Sequence, residues 1–588
     1  MRIMDYRNRS VLIASALQRD ACDLTVKNAQ VVNVFTGEIL NAEVDIRDGV
    51  IVRVRKEGES LDIPSRHVHD ASGAYLIPGY IDTHIHVEST MMIPSNLSRA
   101  IVPLGTTTIC TDPHEIANVC GIAGVDFMLE DARKSALRQF VLAPSCVPSV
   151  PGLENAGTEF GAAHIAELLE RPGVIGIAEL MDFVGIIQDT ERMHGIIDEG
   201  LQRGVFLQGH APLVTGRDLA AYLLGGPVSD HESGTPAEVL EKLRSGMHVN
   251  MRINRLTKNN IRLLDGMKDL RWRDNVSVCT DDIHAKDILT GGHMNRVVAD
   301  MVHYGLDAVE AVRMATLHAA REYHMEDLGA IAPGYVADMQ LVRTLGSGVP
   351  EAVFISGRLV AQDGRYLVEE QETAGTDCSA TVNVSQLNNV EDFILRTPGN
   401  PNGQILTSVL SPNPALPLFS QLEWLELPVR DGVVDISQYP DLCYIMVANR
   451  YERQGRTIAV LRDRELRTGA YGTTISHDSH NMTILYRDAS AALEVAQTLQ
   501  KCGGGICVVN GSNKTVLELP VAGLMSLLPI EDLTRHIEVI ERAISSVCRE
   551  GTDILLPSIL ALACLPCPIV TDVGIFDGLT QTLIPNFA

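Results

Sequence analysis

Between Ala74 and Gly329, short apolar runs alternate with amphipathic stretches, a rhythm that predicts strands alternating with helices. Strands are expected at 75–81, 106–111, 140–145, 174–179, 205–209, 227–230, 248–252 and 276–280. Apolar positions at helical spacing fill the gaps at 125–138, 164–170, 191–203, 216–224, 236–245 and 258–267. Eight strand–helix repeats over roughly 250 residues match the size of a (β/α)8 barrel. A doubly wound sheet would place a glycine-rich phosphate turn after its first strand. Here the first strand runs into His84-Ile85-His86 instead.

The flanks have a different texture. Alternation of period two marks 23–34 and 43–54, with an Asp48-Gly49 turn near the second, and returns at 337–342 and 352–360. Neither flank has enough strands alone, so one small β-sandwich domain assembled from both is expected, with the barrel inserted in it. The expected division is 1–73 (a helical lead-in at 6–21, then the first part of the β-domain), 74–329 (barrel), 330–370 (second part) and 371–588. The last block opens with a polar, turn-rich linker at 371–403. Strands follow at 442–448, 457–461 and 482–486, with helices at 490–501 and 531–550, the pattern of an α+β domain.

Composition narrows the function. The net charge of −26 argues against a nucleic-acid partner, which needs a basic face, and favours a neutral small molecule. The 12 cysteines form no dense framework, and Cys564-Leu-Pro-Cys567 lacks a second pair, so a reducing cytoplasm is expected. Residues 1–20 lack a signal-peptide core. The most apolar tract, 554–576, is broken by Pro557, Pro566 and Pro568, so no membrane span is expected.

Candidate chemistry clusters at the expected strand ends, where barrels of this kind carry their functional groups. His84 and His86 share one face of the first strand. Glu179 ends the fourth, His210 follows the fifth, His231 the sixth and Asp281 the eighth. Taken singly, Glu179 reads as a helix N-terminal carboxylate, His210 as a core histidine and Asp281 as an N-cap. Together, four imidazoles and two carboxylates can hold two divalent cations with a carboxylate between them.

The chain resembles the metal-dependent amidohydrolases, and more closely their adenine deaminase branch. The resemblance rests on Pro78-Gly-Tyr-Ile-Asp-Thr-His-Ile-His-Val-Glu-Ser-Thr, Gly105-Thr-Thr-Thr, Thr111-Asp-Pro-His-Glu-Ile, Gly176-Ile-Ala-Glu-Leu-Met-Asp, Gly209-His-Ala-Pro and Cys279-Thr-Asp-Asp. It extends to Ile475-Ser-His-Asp-Ser-His-Asn and Pro520-Val-Ala-Gly-Leu-Met-Ser in the last block, which amidohydrolases in general lack. It implies that His84, His86 and Asp281 bind one metal, that His210 and His231 bind a second, and that Glu179 bridges them where other members use a carboxylated lysine. The implied activity is hydrolysis of adenine to hypoxanthine and ammonia by a metal-bridging hydroxide, as in purine salvage. Asp281 would serve as acid–base, and His114 or Glu115 as donor to the ring nitrogen. Asp112-Pro-His-Glu reads equally well as a helix-start box. Glu88, His477 and His480 are expected substrate contacts, with extra metal binding also open to the two histidines. The metals are Mn, Fe or Zn, which such ligands accept alike. Related barrels associate, so a homo-oligomer is expected. The rival readings are a sugar-amide deacetylase of the same superfamily and a metal-free barrel acting as a scaffold.

Overall fold

The structure, a computed structural model, describes residues 1–3, 8–254, 257–369, 375–399, 401–414, 419–462, 466–549 and 552–588. Eight parallel strands carry the candidate residues: β1 (Tyr80–Ile85), β2 (Thr106–Thr111), β3 (Arg138–Ala143), β4 (Val174–Leu180), β5 (Phe206–Gly209), β6 (Ser229–Asp230), β7 (His248–Arg252) and β8 (Val276–Cys279). β1 to β5 form one curled parallel sheet in sequence order, and β6 to β8 form another. Hydrogen bonds join the sheet edges: Val228 N donates to Leu207 O (3.1 Å), and Asp281 N to His84 O (2.9 Å). The connecting helices include Ile122–Ala132, Ala162–Leu169, Glu191–Arg203, Gly216–Leu224 and Pro236–Arg244, and the expected 258–267 helix is a run of 3₁₀ turns, Lys258–Gly266. Thr235 caps the helix Pro236–Arg244 by accepting from Glu238 N, and Pro236 occupies the first turn, where no N–H partner is needed.

One expected strand turns out to be two. The apolar run at 75–81 breaks at Gly79. Tyr75–Pro78 pairs antiparallel with Met339–Val342 in the flanking sheet, whereas β1 pairs with β2. A continuous apolar run satisfies either sheet, so nothing in its pattern announces the change of partner. Glycine is required at the crossing: a Cβ there would stand 2.2 Å from Thr107 Oγ1.

The flanking strands make one nine-stranded sheet drawn from both sides of the parallel strands. Leu24–Val32, Ile39–Arg47 and Val50–Lys56 supply one part, and Met339–Val342, Ala352–Ile355 and Arg358–Gln362 the other. The Asp48-Gly49 turn has φ of 48° and 75°, the left-handed pair that a tight hairpin needs. Of the expected lead-in, Arg9–Ala16 is helical, and residues 6–7 lie outside the described residues.

The last block holds a second nine-stranded sheet. It includes the long hairpin Asn402–Pro412 and Ser420–Arg430, which period-two reading missed because one of its faces is only partly buried. Within the expected linker, residues 371–374 and 400 lie outside the described residues, and its end is already strand. On strand Leu442–Ala448, Met446 and Ala448 pack against the helix Ala489–Cys502, while Ile445 and Val447 join the core with the helix Ile530–Val547. Alternate side chains thus serve opposite faces of the sheet. That second core is continuous with Ile85, Met91, Leu97, Ile109 and Ile116 around the β1 and β2 ends. The chain's last third is therefore fastened over the C-terminal ends of β1 and β2 by shared apolar burial, and Ser526 N adds a hydrogen bond to Met91 O (2.8 Å). Among the described residues no helix is long and apolar enough to cross a membrane.

Gly79→Ala is expected to destabilise the protein by about 2–3 kcal/mol through overpacking against Thr107. Adding Thr107→Ala should recover part of that loss in denaturant unfolding, and no recovery would show that the clash lies elsewhere.

Candidate metal centre

Strand alternation sends His84 and His86 to one side of β1 while Ile85 enters the apolar core. Glu179 stands at the centre. His210 Nδ1 lies 2.7 Å from Glu179 Oε2, and His231 Nε2 lies 3.1 Å from the same oxygen. On the other oxygen, Oε1, His86 Nε2 approaches to 3.2 Å, His114 Nδ1 to 3.4 Å and His84 Nε2 to 3.9 Å. Asp281 Oδ1 faces His86 Nε2 at 3.2 Å and His84 Nε2 at 3.5 Å. All six expected ligands meet in one cage, and all are buried.

Asp281 is oriented from behind. Its φ of 57° folds the chain back after β8, and Arg252 at the end of β7 donates to Oδ2 at 2.5 Å. Burial opposes its charge, but Arg252, His84 and His86 hold the carboxyl well below the usual carboxylate range. The strand-end rule that found the other groups also points at Arg252, yet the end of the seventh strand was passed over in reading the sequence.

The donor set fits divalent metal ions. His86 Nδ1 faces Asp112 O at 3.0 Å, and a carbonyl can only accept, so the N–H sits on Nδ1 and the lone pair of Nε2 faces Glu179 and Asp281. Among the described residues, neither ring nitrogen of His84 has a hydrogen-bond partner despite full burial. Two groups of buried ligand atoms, His84–His231–Asp281 and Glu179–His210–His231, each fall within 4.8 Å, the span a cation needs.

The residues beyond the ligands separate into two groups. Asp112 Oδ1 accepts from His114 N (3.0 Å) at the start of helix His114–Cys120, whose N-cap position is Pro113, and Oδ2 holds His114 Nδ1 at 2.9 Å, so Asp112 orients the ring as well as bonding the first helical N–H. Burial disfavours a charged His114, yet Asp112 and Asp478 raise it well above the ordinary imidazole value. Adjacent positions on a helix diverge. Glu115 accordingly turns toward His477 Nδ1 (3.5 Å) and His480 Nε2 (3.8 Å) of the last block. Glu88 accepts from Ile116 N (3.1 Å), and burial together with Glu115 pushes its carboxyl up to about 8. Asp478, which reaches His114 Nε2 at 3.6 Å, escaped the sequence reading although it lies between the two histidines that were singled out.

Behind His210 and His231 lies a fully buried lysine. Lys242 Nζ contacts Ala211 O (2.6 Å), Glu238 Oε1 (2.7 Å), Asp230 Oδ2 (2.9 Å) and Ser233 Oγ (3.2 Å). Asp230 Oδ1 accepts from Ala211 N at 2.8 Å. The β5 and β6 ends are thereby tied together next to their histidines. Only the fold brings these partners to a lysine that, in sequence, looks like an ordinary charge on a helix face.

Residues 75–360 match the amidohydrolase family, and residues 418–582 match the adenine deaminase C-terminal domain. Adenine deaminase 2 of Carboxydothermus hydrogenoformans is 34% identical over 582 residues, covering 98% of each chain. The adenine deaminase of Klebsiella pneumoniae subsp. pneumoniae is 35% identical over 572 residues, 96% of this chain and 93% of that one. That of Moorella thermoacetica is 34% identical over 583 residues, 97% of each.

Lys242→Met is expected to weaken metal retention about 10- to 100-fold, as loss of an outer-shell partner does. Leaving Asp230 and Glu238 unpaired should also cost about 3–5 kcal/mol of stability. Competition with a chelator and denaturant unfolding would read the two effects, and unchanged metal retention would show that the tie does not position the ligands.

Proposed function

The chain belongs to the adenine deaminase family, and from that premise we propose that it hydrolyses adenine to hypoxanthine and ammonia at the cage around Glu179. The observation that carries this reading is the convergence of His84, His86, His210, His231 and Asp281 on one buried carboxylate. We read the two curled sheets as arcs of one (β/α)8 barrel at 74–329, inserted in a β-sandwich of 1–73 and 330–370, with 371–588 as an α+β domain. The hydrogen bonds across both sheet edges support that reading. The adenine deaminase C-terminal match at 418–582 counts against the deacetylase and scaffold alternatives.

His84, His86 and Asp281 would hold one divalent ion and His210 and His231 another, with Glu179 between them. When bound, such ions supply an acidified water, its pKa brought from 15.7 to about 7. Asp281 takes the proton released as oxygen attacks C6 of the purine and returns it to the departing amine. Arg252 fixes the orientation of Asp281 during that transfer. His114 protonates the ring nitrogen: against the cost of burial, Asp112 and Asp478 raise its affinity for a proton, which suits a donor, whereas Glu115 turns to His477 and His480. Glu88, His477 and His480 bound the substrate side, and the closed, buried setting limits access of bulk water. Mn, Fe and Zn all suit this donor set. A cytoplasmic, self-associating enzyme of purine salvage completes the proposal.

Metal-loaded protein supplied with adenine should release hypoxanthine and ammonia in equal amounts, and release of acetate from an amidosugar instead would overturn the assignment. Asp281→Asn should lower kcat by about 10²- to 10⁴-fold, the usual worth of a general acid–base.

A further inference from the structure

Glu115, His477 and His480 form a further buried group, separate from the proposed ligands, in which three ligand-type atoms fall within 4.8 Å. These are residue types that bind cations, but the tautomer of His480 rules against a cation here. Ser476 N, which can only donate, lies 3.2 Å from His480 Nδ1, so Nδ1 holds a lone pair and the proton of the neutral ring is on Nε2. Burial, His477 and Arg450 hold His480 well below the ordinary imidazole value, which keeps the ring neutral. Its Nε2 is therefore an N–H donor with no lone pair to give a metal.

Glu115 has a matching polarity. Ser89 Oγ lies 2.7 Å from Oε1 and 2.6 Å from Asp282 Oδ1, so the two carboxyls share one hydroxyl proton, while Oε2 has no partner among the described residues. His480 Nε2 likewise has no partner, and 3.8 Å separates it from Oε2, beyond hydrogen-bond reach. Both residues are fully buried. An orphaned acceptor beside an orphaned donor, both out of water, costs stability unless a ligand satisfies them. Glu115 also sits one residue beyond His114, whose ring faces Glu179 at 3.4 Å.

We propose that Glu115 and His480 read the N3/N9 edge of adenine and so restrict the site to the free base. This rests on the deaminase reading above. With C6 turned to the Glu179 cage, N3 lies across the six-membered ring from it and N9 lies beside N3. N9–H donates to Glu115 Oε2, and N3 accepts from His480 Nε2–H. A sugar on N9 removes the donor and leaves the carboxylate oxygen unsatisfied. Sites that hydrogen-bond a substrate N–H or O–H reject analogues lacking it by about 10⁴-fold.

The test compares kcat/KM for adenine, 9-methyladenine and 3-deazaadenine in the metal-loaded wild type, Glu115→Leu, Glu115→Gln and His480→Leu, with metal content and melting temperature measured for each. Intrinsic differences in reactivity at C6 cancel when each analogue's ratio to adenine is compared between proteins. In Glu115→Leu the preference for adenine over 9-methyladenine should shrink at least about tenfold, whereas Glu115→Gln, which keeps an acceptor oxygen, should retain much of it, and in His480→Leu the preference over 3-deazaadenine should shrink likewise. His480→Gln, which keeps a donor, should retain much of the second preference and guards against a folding failure of the leucine variant. Unchanged ratios in folded leucine variants with wild-type metal content would overturn the assignment, as would loss of one ion equivalent on replacing His480, which would mark a cation site. Absence of any adenine turnover by the wild type would sink the deaminase reading itself, and this one with it.

Discussion

A carboxylate taken out of water is tolerable only when paired, and Glu179 is paired from several directions at once. Burial alone would drive its proton affinity up, but His210, His231 and His86 reverse that and hold it well below the usual carboxylate range. Each imidazole rides on a different stretch of backbone: β1, the turn after β5 and the turn after β6. The charge is satisfied only when those strand ends are in register. The same register brings His84 beside Asp281, because the backbone hydrogen bond from Asp281 N to His84 O joins the first strand to the turn after the eighth. The hydrogen bonds that join the sheet edges and the contacts of the cage thus involve the same strand ends.

The second constraint is apolar. The core that holds the helix Ile530–Val547 continues into the region of Met91 and Leu97, so the last third of the chain does not hang as a separate body. It delivers the segment 475–481 to the C-terminal ends of the parallel strands, where Asp478 reaches His114 and the two neighbouring histidines reach Glu115. Groups that tune the candidate acid therefore come from a part of the chain more than 300 residues away. Lys242 does comparable work behind the opposite wall, where four polar contacts compensate the burial of its ammonium group.

Much of this was legible in the chain itself. Period and chemistry together placed strands at 106–111 and 248–252 to the residue, and six ligand-type side chains at strand ends, because side-chain alternation and helical spacing are local properties. Local pattern failed at 75–81, where one apolar run feeds two sheets, and at 402–430, where a half-exposed hairpin shows no clean alternation. It also passed over Arg252, Asp478 and Lys242, whose partners are remote in sequence.

By itself the sequence determined the order of strands and helices and the residue types able to hold a metal, since each follows from composition or from neighbours a few positions apart. The tertiary structure alone decided that Glu179 is the hub, that His114 and Glu115 face different clusters, and that the donor of His480 is on Nε2. Those facts depend on distances between segments that only packing brings together, and on which backbone N–H or carbonyl happens to face a ring.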